Sequence, residues 1–230
     1  MTRLSFTALL SFSAFLAACA GGGPGPVVEA PAVKAGDRWV YRAEDGFRVR
    51  TVWTETWEVK SVAPNDITVG VSQKGPTVDT ERTETWSSPG IVRVGAVYDA
   101  ETRRFDPALI RYDYPMSVGQ SWRQSVRDLD MPPGPFGPIQ RSTRVRGYEP
   151  VTTPAGTFDA LRISIIMQLD DETFWRWPTQ CNYELWYAPE VGAMVRLERR
   201  SQHLEKGGGT SPPVPGQNSV LELVSFTRGK

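Results

Sequence analysis

The sequence predicts an all-β fold, a single large curved antiparallel sheet in a half-barrel or open barrel-like form. Three observations lead there. Apolar residues recur with period two over most of the chain, and the breaks between these runs carry hairpin chemistry. No stretch of ten or more residues holds apolar positions at helical spacing without a glycine or proline. The expected content is about ten strands and little helix. A two-sheet β-sandwich is the alternative arrangement of the same strands.

Composition sets the outer limits. The chain has 230 residues, 40% hydrophobic and 10% aromatic, which is enough for a packed core. Its 26 basic and 26 acidic side chains leave no net charge, so there is no basic surplus to displace counterions from phosphates, and no nucleic-acid partner is expected. A single histidine, His203, excludes a histidine-pair metal site and leaves little for histidine-assisted nucleophilic catalysis.

The first element is a leader. Met1-Thr2-Arg3 is followed by an uncharged, mostly apolar run from Leu4 to Ala18, the layout of a secretory signal, so residues 1–18 are expected to be removed. A membrane-spanning helix needs about 20 apolar residues, and this run is stopped by Gly21-Gly22-Gly23-Pro24-Gly25-Pro26. The leader ends in Leu16-Ala17-Ala18-Cys19, which resembles the lipobox of bacterial lipoproteins. That resemblance implies that Cys19 becomes the first mature residue and carries a diacylglycerol and an amide-linked acyl chain. At about 0.8 kcal/mol per buried methylene, two or three chains hold a protein on a bilayer where one does not. Ala20, in place of the aspartate that retains such proteins at the inner membrane, implies the periplasmic leaflet of the outer membrane. From Cys19 to Ala35 the small residues, glycines and prolines read as a tether, whose about 17 links reach roughly 20–25 Å.

Residues 36–230 read as one β domain. Phe47, Val49, Trp53, Trp57 and Val59 alternate with Arg48, Arg50, Thr54, Thr56, Glu58 and Lys60, giving one apolar and one charged or hydroxylated face. Ile67-Val69-Val71, Leu161 through Leu169 on odd positions, Val195-Leu197, and Leu221-Leu223 against Val220-Val224-Phe226 repeat the pattern. Thr153-Pro154-Ala155-Gly156 and Ala188-Pro189-Glu190-Val191-Gly192 supply the fixed φ of proline and the positive φ of glycine that tight turns need. Asp128 to Pro138 and Lys206 to Gln217 are too rich in glycine and proline for strands and are expected as surface excursions. The order GxxW then WxxP occurs twice, at Gly36–Trp39 with Trp86–Pro89 and at Gly119–Trp122 with Trp186–Pro189, which suggests two similar β halves sharing one sheet.

Val151 to Phe158 (VTTPAGTF) and Leu185 to Gly192 (LWYAPEVG) resemble the TPAGTF and WYAPxVG pattern of uncharacterised bacterial exported proteins. The resemblance covers about the last half of the chain and implies a large curved antiparallel sheet, with no catalytic residue carried across. Some of those proteins have been compared with lipoprotein-carrier half-barrels, whose helices close the concave face. This sequence has no helix-like segment to do so.

Few residues suggest chemistry. There is no phosphate-binding loop, HExxH, GxSxG or paired CxxC. Cys181, the one cysteine left after lipidation, has no intramolecular partner and reads as a small inert core residue, and His203 as an exposed strand-end histidine. Asp128-Leu129-Asp130 and Asp170-Asp171-Glu172 fit turn chemistry and lack EF-hand spacing. Trp175-Arg176-Trp177-Pro178 places two indoles on one side of a strand close to a turn, a candidate rim for a ligand, glycan or partner protein. The expected role is non-catalytic, with no cofactor and no metal: a lipid-anchored outer-membrane protein that binds an apolar ligand or assists envelope assembly. A protein- or glycan-interaction subunit is the alternative, and an acidic-residue hydrolase a remote one.

Overall fold

A computed structural model describes residues 25–47, 50–129, 138–207 and 212–230. Twelve strands run in chain order: β1 (Arg38–Asp45), β2 (Thr51–Ala63), β3 (Asp66–Lys74), β4 (Asp79–Ser88), β5 (Ile91–Gly95) and β6 (Arg103–Ile110), then β7 (Ser121–Asp128), β8 (Ile139–Thr153), β9 (Gly156–Gln168), β10 (Gln180–Ala188), β11 (Ala193–His203) and β12 (Val214–Thr227). Each pairs antiparallel with its neighbour in sequence, and β1 pairs with β12 from Arg38↔Thr227 to Asp45↔Ser219. The sheet is therefore a closed up-and-down barrel. This corrects the half-barrel expectation and removes the sandwich: an edge strand as apolar as β1, with Trp39, Tyr41 and Ala43 buried, finds its second partner in the last strand of the chain.

The alternation is borne out where it is apolar. Leu161, Ile163, Ile165, Met167 and Leu169 are all buried, as are Val69 and Val71 on β3 and Leu221 and Leu223 on β12. Strands such as β4 escaped the pattern because their inward side chains include Arg82, Glu84 and Trp86. The run expected from Phe47 begins later: Phe47 lies in the β1–β2 turn, its N–H donating to Asp45 Oδ1 at 3.0 Å, while Arg48 and Val49 fall outside the described residues. The second excursion is shorter than expected, because β12 begins at Val214. Pro215 is accommodated where the register slips between Ser201 and Gln202.

Closure is thin at one place. β6 and β7 pair only at Phe105↔Asp128 and Asp106↔Arg127. Further along, the Gln124 side chain takes the place of a strand: its Oε1 accepts from Ile110 N at 2.9 Å and its Nε2 donates to Ile110 O at 2.9 Å. Trp122 Nε1 and Arg141 Nη1 donate to the same carbonyl at 3.3 and 2.6 Å.

The two ends of the barrel differ. Tight turns at 63–66, 88–91, 153–156 and 188–193, with the 111–120 loop, form one end. Gly192, at φ 69°, makes the positive-φ step of the β10–β11 turn. The connections at 96–102 and 169–179 lie at the other end, the mouth, while the excursion expected from Asp128 to Pro138 falls mostly outside the described residues. The segment expected as tether is docked from Val28 onward. Val28 is buried and exchanges two backbone hydrogen bonds of 2.8 Å with Met116, and Gly36 N donates to Val59 O at 2.8 Å.

Candidate functional site

The barrel lumen holds the candidate site. β2 and β4 each carry Thr-Glu-Thr-Trp, at 54–57 and 83–86, and residues two apart on a strand share a face. In both copies the glutamate accepts a hydrogen bond from the indole two residues on: Trp57 Nε1 to Glu55 Oε1 at 2.7 Å, and Trp86 Nε1 to Glu84 Oε2 at 3.0 Å. Gln73 Nε2 completes Glu55 at 2.7 Å. Glu84 is completed by Arg111 Nη2 at 2.8 Å and by Arg82 Nε at 3.3 Å. The Arg111 guanidinium also lies 5.0 Å from the Trp57 ring centre and 5.4 Å from that of Trp86, so one cation neutralises the carboxylate and meets two indole rings. Burial alone would raise the Glu84 carboxyl, but Arg111 and Arg82 outweigh it and hold it below the ordinary carboxylate range. The TETW repeat was a sequence signal that the strand reading missed: Glu55 falls on the same face as Trp53 and Trp57, and a single carboxylate on an apolar face shows no site until its partners from other strands are in place.

Opposite this cluster stand three tyrosines. Tyr112, Tyr114 and Tyr187 meet with ring centres 5.1 to 6.1 Å apart, and Tyr114 OH donates to Tyr187 OH at 2.8 Å. Burial pushes all three phenols up, that of Tyr187 to about 12, so they are neutral donors at physiological pH. Between indoles and phenols lies a cavity of about 130 Å³. It shares Gln73, Tyr98, Asp99 and Arg199 with a groove of about 350 Å³ at the mouth, where Trp53 and Asn218 also contribute walls. These four residues form a wall common to the lumen cavity and the mouth groove.

The residues singled out from the sequence lie elsewhere. Cys19 falls outside the described residues. Trp175 and Trp177 are on the β9–β10 loop at the mouth end, 42% and 50% exposed, beside a Phe174 that is 93% exposed. Lys206 Nζ sits 4.6 Å from the Trp177 ring centre, and the His203 ring meets Trp175 edge-on at 5.7 Å. That loop is tied to the β11 end by Trp177 N to Leu204 O at 2.8 Å and Lys206 N to Trp175 O at 2.7 Å. Cys181 is free and buried on β10, its thiol pushed up by burial to about 12. Asp171 accepts from Thr179 N and Oγ1, each at 2.7 Å, and from Arg176 Nη2 at 2.8 Å, while Glu172 pairs with Lys206. These carboxylates hold their own loop together.

Residues 139–208, from the start of β8 to just beyond β11, match a family described as DUF3108-like. No curated protein matches the chain. Two solved structures resemble it: a candidate lipoprotein from Parabacteroides distasonis and a candidate exported protein with a YmcC-like fold from Bacteroides fragilis. They are 14% and 13% identical, each with a TM-score of 0.46 over 88% of this chain and 100% of its own.

Proposed function

We propose that the protein is an exported, lipid-anchored barrel that binds an apolar ligand in its lumen and does no chemistry on it. The observation that carries this reading is the aromatic cavity that shares a wall with the mouth groove. The leader and the Leu16–Cys19 lipobox support the periplasmic leaflet of the outer membrane as its location, with lipid on Cys19 as the membrane contact. No cofactor or metal enters the reading. Native mass spectrometry of residues 20–230 tests the lumen: a reproducible small-molecule adduct is expected, lost when Ala193→Trp fills the cavity. A clean apo mass after incubation with a cell-envelope extract would sink the ligand claim. Intact mass tests the anchor, since Cys19→Ser should remove two or three acyl chains. An unmodified mature Cys19 in the wild type would refute it.

A second reading is favoured by the exposure of Phe174, Trp175 and Trp177 beside Arg176 and Lys206, which suits a glycan or an envelope protein. If replacing both tryptophans by alanine leaves glycan retention and co-purifying partners unchanged, the rim has no such role.

A further inference from the structure

Arg141 is a lumen cation with no acidic partner among the described residues. Arg141 projects inward from β8 and is 6% exposed. Its Nη1 donates to Ile110 O at 2.6 Å, and no hydrogen bond from Nε or Nη2 is made to any described residue. No described carboxylate lies within ion-pair distance. Arg82 and Arg111, by contrast, share Glu84. Burial lowers the Arg141 pKa, with the nearby Arg111 charge adding to it, to about 10, so the group stays charged at neutral pH without an internal counter-ion. Leaving a buried charge unpaired is among the more costly things a fold can do, and a ligand anion would offset it.

Three further features narrow the anion. Arg141 lines the same cavity as Trp57, Trp86 and Tyr112, so the charge is presented beside aromatic walls. The Tyr112 hydroxyl makes no hydrogen bond among the described residues and couples electrostatically to Arg141, leaving a neutral donor nearby. The cavity, about 130 Å³, is slightly smaller than an engineered apolar cavity of about 150 Å³ that holds benzene. The cavity by itself holds about one ring.

We propose that the lumen takes a small aromatic monocarboxylate, its ring in the cavity and its carboxylate on the free Nε–Nη2 edge of Arg141. This rests on the lumen being a ligand site and names the ligand's class. A planar carboxylate matches the fork of a guanidinium edge. Arg199, in the wall shared by the lumen and the mouth groove and in no ion pair among the described residues, places a second cation nearby.

The test titrates the full chain with benzoate and with its neutral isostere benzamide, read by tryptophan fluorescence and by thermal shift. Benzoate is expected to bind about tenfold or more tighter than benzamide, as a charge-assisted contact implies. Arg141→Gln should erase that preference, whereas Arg141→Lys, which keeps a cation, should retain part of it. Equal affinity of the wild type for benzoate and benzamide would overturn the Arg141 anchor and spare the lumen as a ligand site. If benzoate, benzamide and benzene all fail to bind, both the anchor and the lumen reading fall.

Discussion

Glu84 is fully buried and ionised, held by Arg111, Arg82 and Trp86. Removing its charge leaves Arg111 without an acidic partner among the described residues, so Glu84→Gln should cost about 3–5 kcal/mol in urea denaturation. The pH dependence follows from the direction of its shift. A carboxyl held below its ordinary value of 4.5 contributes stability that is complete above 4.5 and lost as pH falls through the depressed folded value. The wild type should therefore lose more stability below pH 4.5 than Glu84→Gln does, and parallel acid curves for the two would contradict the pairing. Cys181 offers a second residue-level outcome. With its thiol buried and raised to about 12, it should resist a thiol-specific reagent at pH 8 in the folded protein and react at once in urea. Its inertness could be argued from the sequence, since one thiol has no internal partner. The site at Glu55, Glu84, Arg111 and Arg141 could not: Arg111 sits in a loop, and a charged residue on a strand names no partner until closure brings β2, β4 and β8 around one lumen.

At the level of elements, legibility follows the chemistry of the inward face. β3, β9 and β12 bury aliphatic side chains and declare themselves by alternation, while β4 buries Arg82 and Glu84 and β6 is interrupted by Pro107. The β6–β7 seam was invisible for a further reason: its closure depends on a side chain acting as backbone. Gln124 offers one acceptor and one donor to Ile110, the two groups a neighbouring strand would supply. Gln124→Ala should cost about 1–3 kcal/mol for the pair of neutral hydrogen bonds. Hydrogen exchange should localise the effect, with the Ile110 amide and its β6 neighbours exchanging faster while β9 and β10 keep their protection. Uniform loss of protection across the barrel would mean that the seam is not a separate unit.

For the molecule as a whole, what the sequence lacked was the pairing of β1 with β12, because strands at opposite ends of a chain leave no local trace of meeting. The repeat did carry information. GxxW opens β1 and β7, the first strand of each set of six, and WxxP closes β4 and β10, the fourth of each. The thin β6–β7 seam is the join between the two sets. The chain ends also meet: Asp37 Oδ1 accepts from Gly229 N at 2.8 Å, and a Cβ on Gly229 would come within 2.1 Å of Ala35 O. Val28 is fixed on Met116 and Pro26 O accepts from Tyr148 OH at 3.0 Å, so the described chain from Gly25 to Val28 is docked on the barrel at the turn-lined end. If Cys19 carries the lipid proposed above, only about six links, or about 20 Å, separate it from that docked chain. β9, at 13 residues and about 3.3 Å per residue, is about twice as long as that reach. The turn-lined end and the β8 wall should then face the bilayer, with the mouth and the Trp175–Trp177 rim pointing away from it. Spin labels on the lipidated protein in liposomes read this directly. A label at Thr152 should be relaxed more by lipid-dissolved oxygen, and one at Thr80 more by aqueous nickel chelate; equal accessibility at the two positions would show that the short tether does not set the orientation.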